Sequence, residues 1–143
     1  MKTLSNKRIP LIFTLIGGTV MLMSFVTNTT IQQKGAWVAP ASADTIKNPL
    51  KGKADAIAAG KKIYGTYCNV CHGDKGRGDG IAAAGLNPKP ADHTSAKFQA
   101  QSDGAIYWKL TTGRAPMASY EKTLTLVQRW QVVNYMRTLK AAK

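Results

Sequence analysis

The sequence predicts an all-α domain running from about residue 54 to the C-terminus. Three observations carry this expectation. Nothing between residues 44 and 143 shows the period-two alternation of a strand. Apolar residues there recur instead at three- and four-residue steps in separate segments. Both cysteines of the 143-residue chain fall in one run, Cys68-Asn69-Val70-Cys71-His72, whose spacing places the two thiols one helical turn apart.

The length allows one domain plus whatever precedes it, and three parts are expected: 1–26, 27–53 and 54–143. Lys2, Lys7 and Arg8 precede an apolar run from Ile9 to Val26, 18 residues without a charge. Positive charge before such a run predicts that everything after it leaves the cytoplasm. The run lies at the short end of a spanning helix and exceeds the usual core of a signal peptide. The small-x-small site Ala41-Ser42-Ala43 is too far downstream for ordinary cleavage, and Thr27-Asn28-Thr29 is chemically weak. Residues 1–26 are therefore read as a membrane anchor in preference to a cleaved signal segment. The tract 27–53, polar and Pro-containing without periodicity, reads as a linker. Trp37 stands out in it, either packing on the domain or sitting at a membrane surface.

Ala54 to about Tyr67 reads as the first helix. It is Ala-rich, with Asp55 near the start and Lys61 and Lys62 later, as the helix dipole favours, and with Ile57, Gly60 and Tyr64 on one face. Gly73 to Pro90 alternates glycine with charge and reads as loop. Its spacing matches neither phosphate-binding glycine motif. A second helix starts at Ser102 or Asp103 and stops at Gly113. A loop bent by Pro116 follows. The last helix, about Thr125 to Lys140, is expected to carry Leu126, Trp130, Val133 and Arg137 on one face, filled out by Val127, Tyr135 and Leu139.

Cys-x-x-Cys-His is the attachment signal for a c-type haem: two thiols bond one edge of the porphyrin, and the adjoining histidine supplies an axial nitrogen. Other readings of the pair fare worse. A thioredoxin-like redox pair needs a βαβ context. A structural zinc site wants four ligands, and two cysteines with two distant histidines match that poorly. A plain disulfide stays open but leaves His72 unexplained. Met136 reads as packing in the last helix, and His93 as a surface loop residue.

Residues 54–140 or so resemble a small class I c-type cytochrome domain. The order matches: helix, Cys-x-x-Cys-His, Gly-rich loop, short helix, Met loop, amphipathic C-terminal helix. The resemblance implies a cytochrome c fold with three main helices around one covalent haem c, preceded by an N-terminal apolar helix and linker. It implies thioether bonds to Cys68 and Cys71, His72 as proximal iron ligand, and Met117, 45 positions later, as distal ligand. The Pro88 carbonyl is expected to accept the proton of the His72 ring nitrogen facing away from the iron. Gly60 and Tyr64 are expected to pack across the last helix at Trp130. Arg114 is a candidate partner for a haem propionate.

With both axial positions taken by protein, the expected role is one-electron transfer and not catalysis. The protein is expected on the periplasmic side of a bacterial cytoplasmic membrane, held there by residues 9–26 if these are retained. It would serve a respiratory chain as a carrier, or as a subunit of a larger quinol-oxidising or dehydrogenase complex. The alternative is a haem sensor or peroxidase-like enzyme with a labile distal ligand. The chain carries 20 Lys+Arg against 7 Asp+Glu, a net +13. That balance suits redox protein partners with an acidic docking surface. The lysines are scattered without an aromatic-interleaved stripe, so nucleic acid is not an expected partner.

Overall fold

The computed structural model of the protein describes residues 35–140. The apolar run 9–26, the site at 27–29 and the first part of the linker lie outside the described residues. Among those described, no helix is long and apolar enough to cross a membrane. Among the described residues five helices follow one another: α1 (Ala54–Tyr67), α2 (Asn69–His72), α3 (Ala96–Gln99), α4 (Asp103–Thr112) and α5 (Leu126–Thr138), with 3-10 turns at Ala41–Thr45 and Ala83–Gly85. Among the described residues there is no sheet, only one bridge pair, Arg114 with Met117. The all-α expectation holds.

α1 and α5 make the most extensive contact between helices. Gly60 allows it: a Cβ there would lie 1.9 Å from the backbone oxygen of Gln131, so the two backbones touch. Tyr64, buried on the same face of α1, meets the Tyr135 ring edge-on at 5.1 Å. The expected partner was Trp130. Tyr135 follows Gln131 by four residues and shares its face, whereas Trp130 is rotated about 100° away. Trp130 turns to α4 and stacks on Tyr107 with centroids 4.0 Å apart.

The face expected for α5 holds at Trp130 and Val133 and is corrected at Leu126 and Val127. Leu126 and Val127 are 56% and 51% exposed, while Arg129 and Asn134 are buried beside Trp130, Val132, Val133 and Met136. Both polar groups are satisfied, which is what lets them displace apolar residues. Arg129 donates to the Tyr107 hydroxyl and to the carbonyls of Glu121 (2.9 Å) and Leu124 (3.1 Å). Asn134 donates to the Leu50 carbonyl at 3.0 Å and accepts from the Gly52 N–H at 3.2 Å.

The caps follow the sequence closely. Ser102 accepts from the Ala105 N–H at the start of α4, and Thr125 forms a capping box with Gln128 at the start of α5. From Ala41 onward the aperiodic tract before α1 packs on the domain. Ala43 is buried, and its carbonyl lies where a Cβ on Gly104 of α4 would be. Asp44 accepts from Ser102, and Asn48 donates to Asp103 at 2.9 Å. These contacts are hydrogen bonds and backbone approaches, which leave no apolar period in the sequence.

Candidate haem site

α1 runs into the cysteine segment without a break. The Cys68 N–H donates to Tyr64, and the Cys68 carbonyl accepts from both Cys71 (3.2 Å) and His72 (2.9 Å). This single turn holds the two thiols and the imidazole together. The two cysteines form no disulfide with each other. Burial, with Cys71 nearby, pushes the Cys68 thiol up to about 12, so it stands neutral.

A short helix leaves its last carbonyls without partners, and the Gly-rich loop supplies them. Gly80 N–H donates to Cys71 (3.1 Å), Gly78 N–H to His72 (2.8 Å) and Ala82 N–H to Val70 (2.9 Å). A Cβ on Gly80 would lie 2.4 Å from the Asn69 oxygen, so only glycine lets the loop approach this closely.

The same loop returns to fix the histidine. His72 Nδ1 lies 2.9 Å from the carbonyl oxygen of Ala91, which can only accept. Nδ1 therefore carries the proton, and Nε2 keeps a lone pair for a metal. Burial lowers the ring below the ordinary imidazole value, and the Ala91 bond acts in the opposite sense. The carbonyl expected from Pro88 is thus supplied three residues later, and Pro88 itself is exposed. His93 N–H donates to Gly76 at 2.6 Å, and this link sets the register that brings Ala91 to the ring.

His93, expected on the surface, is 3% exposed. Its ring stacks on His72 at 4.2 Å, packs on Phe98 at 4.4 Å, and its Nδ1 lies 3.2 Å from the Tyr64 hydroxyl. Burial and the neighbouring His72 hold it well below the ordinary imidazole value.

Met117 follows Pro116 in a turn closed by two reciprocal backbone bonds, Arg114 N–H to Met117 (3.0 Å) and Met117 N–H to Arg114 (2.9 Å). The returning chain is pinned to the end of α4: Tyr120 N–H donates to Leu110, and the Ser119 hydroxyl to Thr111. Met117 is half-buried against the apolar cluster that includes Cys68. Tyr120 ties the Met loop to the cysteine turn. Its hydroxyl donates to the Tyr67 carbonyl at 2.9 Å, and its ring meets Tyr67 edge-on at 6.3 Å. Burial, then Cys68 and Cys71, push its phenol up to about 12. Arg114 lies over Trp37: its guanidinium is 5.3 Å from the Trp37 ring centre and donates to the Gly35 carbonyl at 3.2 Å.

The residues present fit a covalent haem. Two thiols sit one turn apart beside an imidazole whose Nε2 is left for iron, and the structure builds a thioether into the same apolar cluster. Among the described residues no three His, Cys, Asp or Glu side chains gather as a metal cluster, so a zinc site lacks its ligands. Ala91, His93 and Tyr120 were not singled out in these roles from the sequence. None carries a motif, and their roles depend on loop register.

An all-helical domain with this turn, Gly-rich loop and Met loop is a c-type cytochrome domain. The chain belongs to the family described as "Cytochrome C oxidase, cbb3-type, subunit III", whose model matches residues 55–136. Membership implies covalent haem c, haem-based electron transfer and an extracytoplasmic location. The chain is 34% identical over 64 residues to the quinohemoprotein alcohol dehydrogenase ADH IIB of Pseudomonas putida, matching 43% of this chain and 9% of that protein. Among solved structures it is similar to the Kuenenia stuttgartiensis reducing HAO-like protein complex Kustc0457/Kustc0458. There the TM-score is 0.60 and identity 36%, with 67% of this chain and 50% of the other covered. It is also similar to the KustC0563 c-type cytochrome, with a TM-score of 0.51, 27% identity, and 57% and 98% covered. The chain thus spans half or less of the length of the first two.

Proposed function

We propose that the protein is a mono-haem electron-transfer protein on the periplasmic side of a bacterial membrane. In this reading Cys68 and Cys71 hold the haem through thioethers, and His72 and Met117 supply its two axial ligands. The observation that carries the reading is the His72 ring, whose Nδ1 proton is held on the Ala91 carbonyl and whose Nε2 is left for iron. The bound haem supplies one-electron Fe(III)/Fe(II) cycling. The protein's own work is to orient His72 through Ala91 and His93, to carry Met117 on a closed turn, and to keep water from the cluster around Cys68. Two protein ligands leave no open coordination position, which favours electron transfer over a sensor or peroxidase-like activity.

The respiratory setting rests on names alone. A family named for an oxidase subunit and a relative named as a quinohemoprotein dehydrogenase both favour a place in an oxidoreductase chain, as tethered carrier or fixed subunit. Residues 9–26 would be the tether, and the basic surface would meet an acidic redox partner. The test is a reduced pyridine haemochrome spectrum with mass spectrometry of the mature protein, followed by the near-infrared Fe(III)–Met band at neutral pH. One haem on Cys68 and Cys71, with the band present, is the expected result. No covalent haem, or a haem that lacks the band and binds carbon monoxide rapidly, overturns the assignment.

A further inference from the structure

Trp37 lies outside residues 55–136, and the electron-transfer reading gives it no task. Its surroundings are specific. The indole meets Trp108 of α4 edge-on at 6.5 Å. Two cations share the ring, Arg114 at 5.3 Å and Lys109 at 5.7 Å from its centre. Neither forms an ion pair with a carboxylate among the described residues, and burial, then Arg114 and Lys97, disfavour the charge on Lys109. Placed side by side with no counter-charge, Lys109 at the end of α4 and Arg114 at the start of the Met loop repel each other. The electron-rich ring face attracts both cations.

The loop is joined to this contact through its backbone. Arg114 and Met117 exchange two hydrogen bonds, so a displacement of one is a displacement of the other. The segment carrying Trp37 is itself anchored at the opposite end of α4, where Ala43 is buried against Gly104 and Asp44 accepts from Ser102. The segment from Gly35 to Thr45 is thus a strap along α4, fixed at one end and holding Arg114 at the other.

We propose that Trp37 is a positioning residue for the distal ligand: the strap clamps Arg114 and so biases the loop toward the closed form that presents Met117. The proposal rests on Met117 ligation. It adds that the closed form is stabilised by a segment N-terminal to the family-matched residues, held at the start of α4 and at the loop that leaves it.

Imidazole competition on the full-length ferric holoprotein tests this, because free imidazole takes the sixth position only when Met117 leaves. The readout is loss of the Fe(III)–Met near-infrared band against imidazole concentration. Trp37→Ala is expected to bind imidazole about tenfold more tightly than the wild type, the scale of the exposed Arg114–Trp37 cation–π contact with the Arg114–Gly35 hydrogen bond. Trp37→Phe keeps a ring face and should recover most of the difference. Arg114→Leu removes the same contact from the loop side and serves if Trp37→Ala folds poorly. The double variant should exceed neither single one, since both break one interaction. A lower melting temperature with unchanged imidazole affinity in Trp37→Ala and Arg114→Leu overturns the proposal, as do additive effects. Absence of the band in the wild type removes Met117 ligation and the proposal with it. A normal band with indifferent variants removes the strap alone.

Discussion

His93 lies flat on His72, ring centres 4.2 Å apart and planes 20° from parallel. With Ala91 fixing one edge of His72 and His93 covering one face, the ring has little freedom to rotate. His93 is itself held, by Gly76 through its N–H, by Tyr64 at Nδ1 and by Phe98 on its ring.

His93→Ala should therefore cost about 2–4 kcal/mol of stability, in the range for emptying a large buried site. Guanidinium unfolding would measure it. The same variant should broaden the low-spin ferric paramagnetic resonance signal, since a freed His72 ring samples several orientations. A midpoint within experimental error of the wild type, with an unchanged signal, contradicts the role given to the stack.

Gly60→Ala should be among the most damaging single-methyl additions in the domain. Its Cβ would meet the Gln131 carbonyl carbon at 2.5 Å as well as the oxygen at 1.9 Å, and neither is a side chain that can swing away. The loss is expected to reach or exceed the roughly 3 kcal/mol at the upper end of ordinary overpacking. Gly65→Ala, where a Cβ meets nothing within 4 Å, is the control and should be neutral or slightly stabilising.

Arg129→Leu should cost about 3 kcal/mol by leaving the buried Leu124 carbonyl, the Glu121 carbonyl and the Tyr107 hydroxyl without their shared donor. Arg129→Lys should recover only part, because one ammonium cannot reach the positions spanned by a guanidinium fork. Chemical denaturation of the two variants side by side would show the order.

Alkali should weaken the domain through Tyr120. Its phenol is raised from 10.0 to about 12 in the folded chain, so the folded state prefers the neutral form. That preference contributes stability in full below about pH 10 and loses it as pH rises through about 12, because the unfolded chain ionises first. Tyr120→Phe should lower stability by about 1 kcal/mol at neutral pH, through the lost bond to Tyr67. It should also flatten the decline above pH 10. Denaturant midpoints at about pH 8 and about pH 11 distinguish the two effects.

Met117→Ala should leave the covalent haem in place, abolish the near-infrared Fe(III)–Met band and allow the reduced protein to bind carbon monoxide. It should also lower the reduction potential, since the thioether favours Fe(II). A variant with the wild-type spectrum would remove Met117 from the site.

The helix ends were legible because they are written in local chemistry. Ser102 and Thr125 are caps, Gly113 takes a φ of +64° that other residues resist, and α1 begins and ends where its composition changes. The cysteine turn was legible because the motif is short and contiguous. What periodicity cannot show is a buried polar residue with its partners arranged by distant chain. Arg129 and Asn134 took core positions on α5 while Leu126 and Val127 were left outside. The choice of Ala91 over Pro88 depends on one backbone bond between His93 and Gly76 across an irregular loop, a register without sequence signature. The packing of residues 41–52 was hidden for the same reason: Asn48, Leu50 and Gly52 join α4 and α5 by hydrogen bonds.

The backbone approach of Gly60 to Gln131 joins the first helix of the domain to the last, so α1 can close its face only once α5 is present. A chain that emerges N-terminus first exposes Cys68 to His72 well before α5 exists. Until α5 arrives, α1 has nothing to close against, and a short helix alone is marginal in water. On the proposed reading, both thiols would be accessible for haem attachment in that interval. The arrival of Leu126–Thr138 would then close the domain around that linkage.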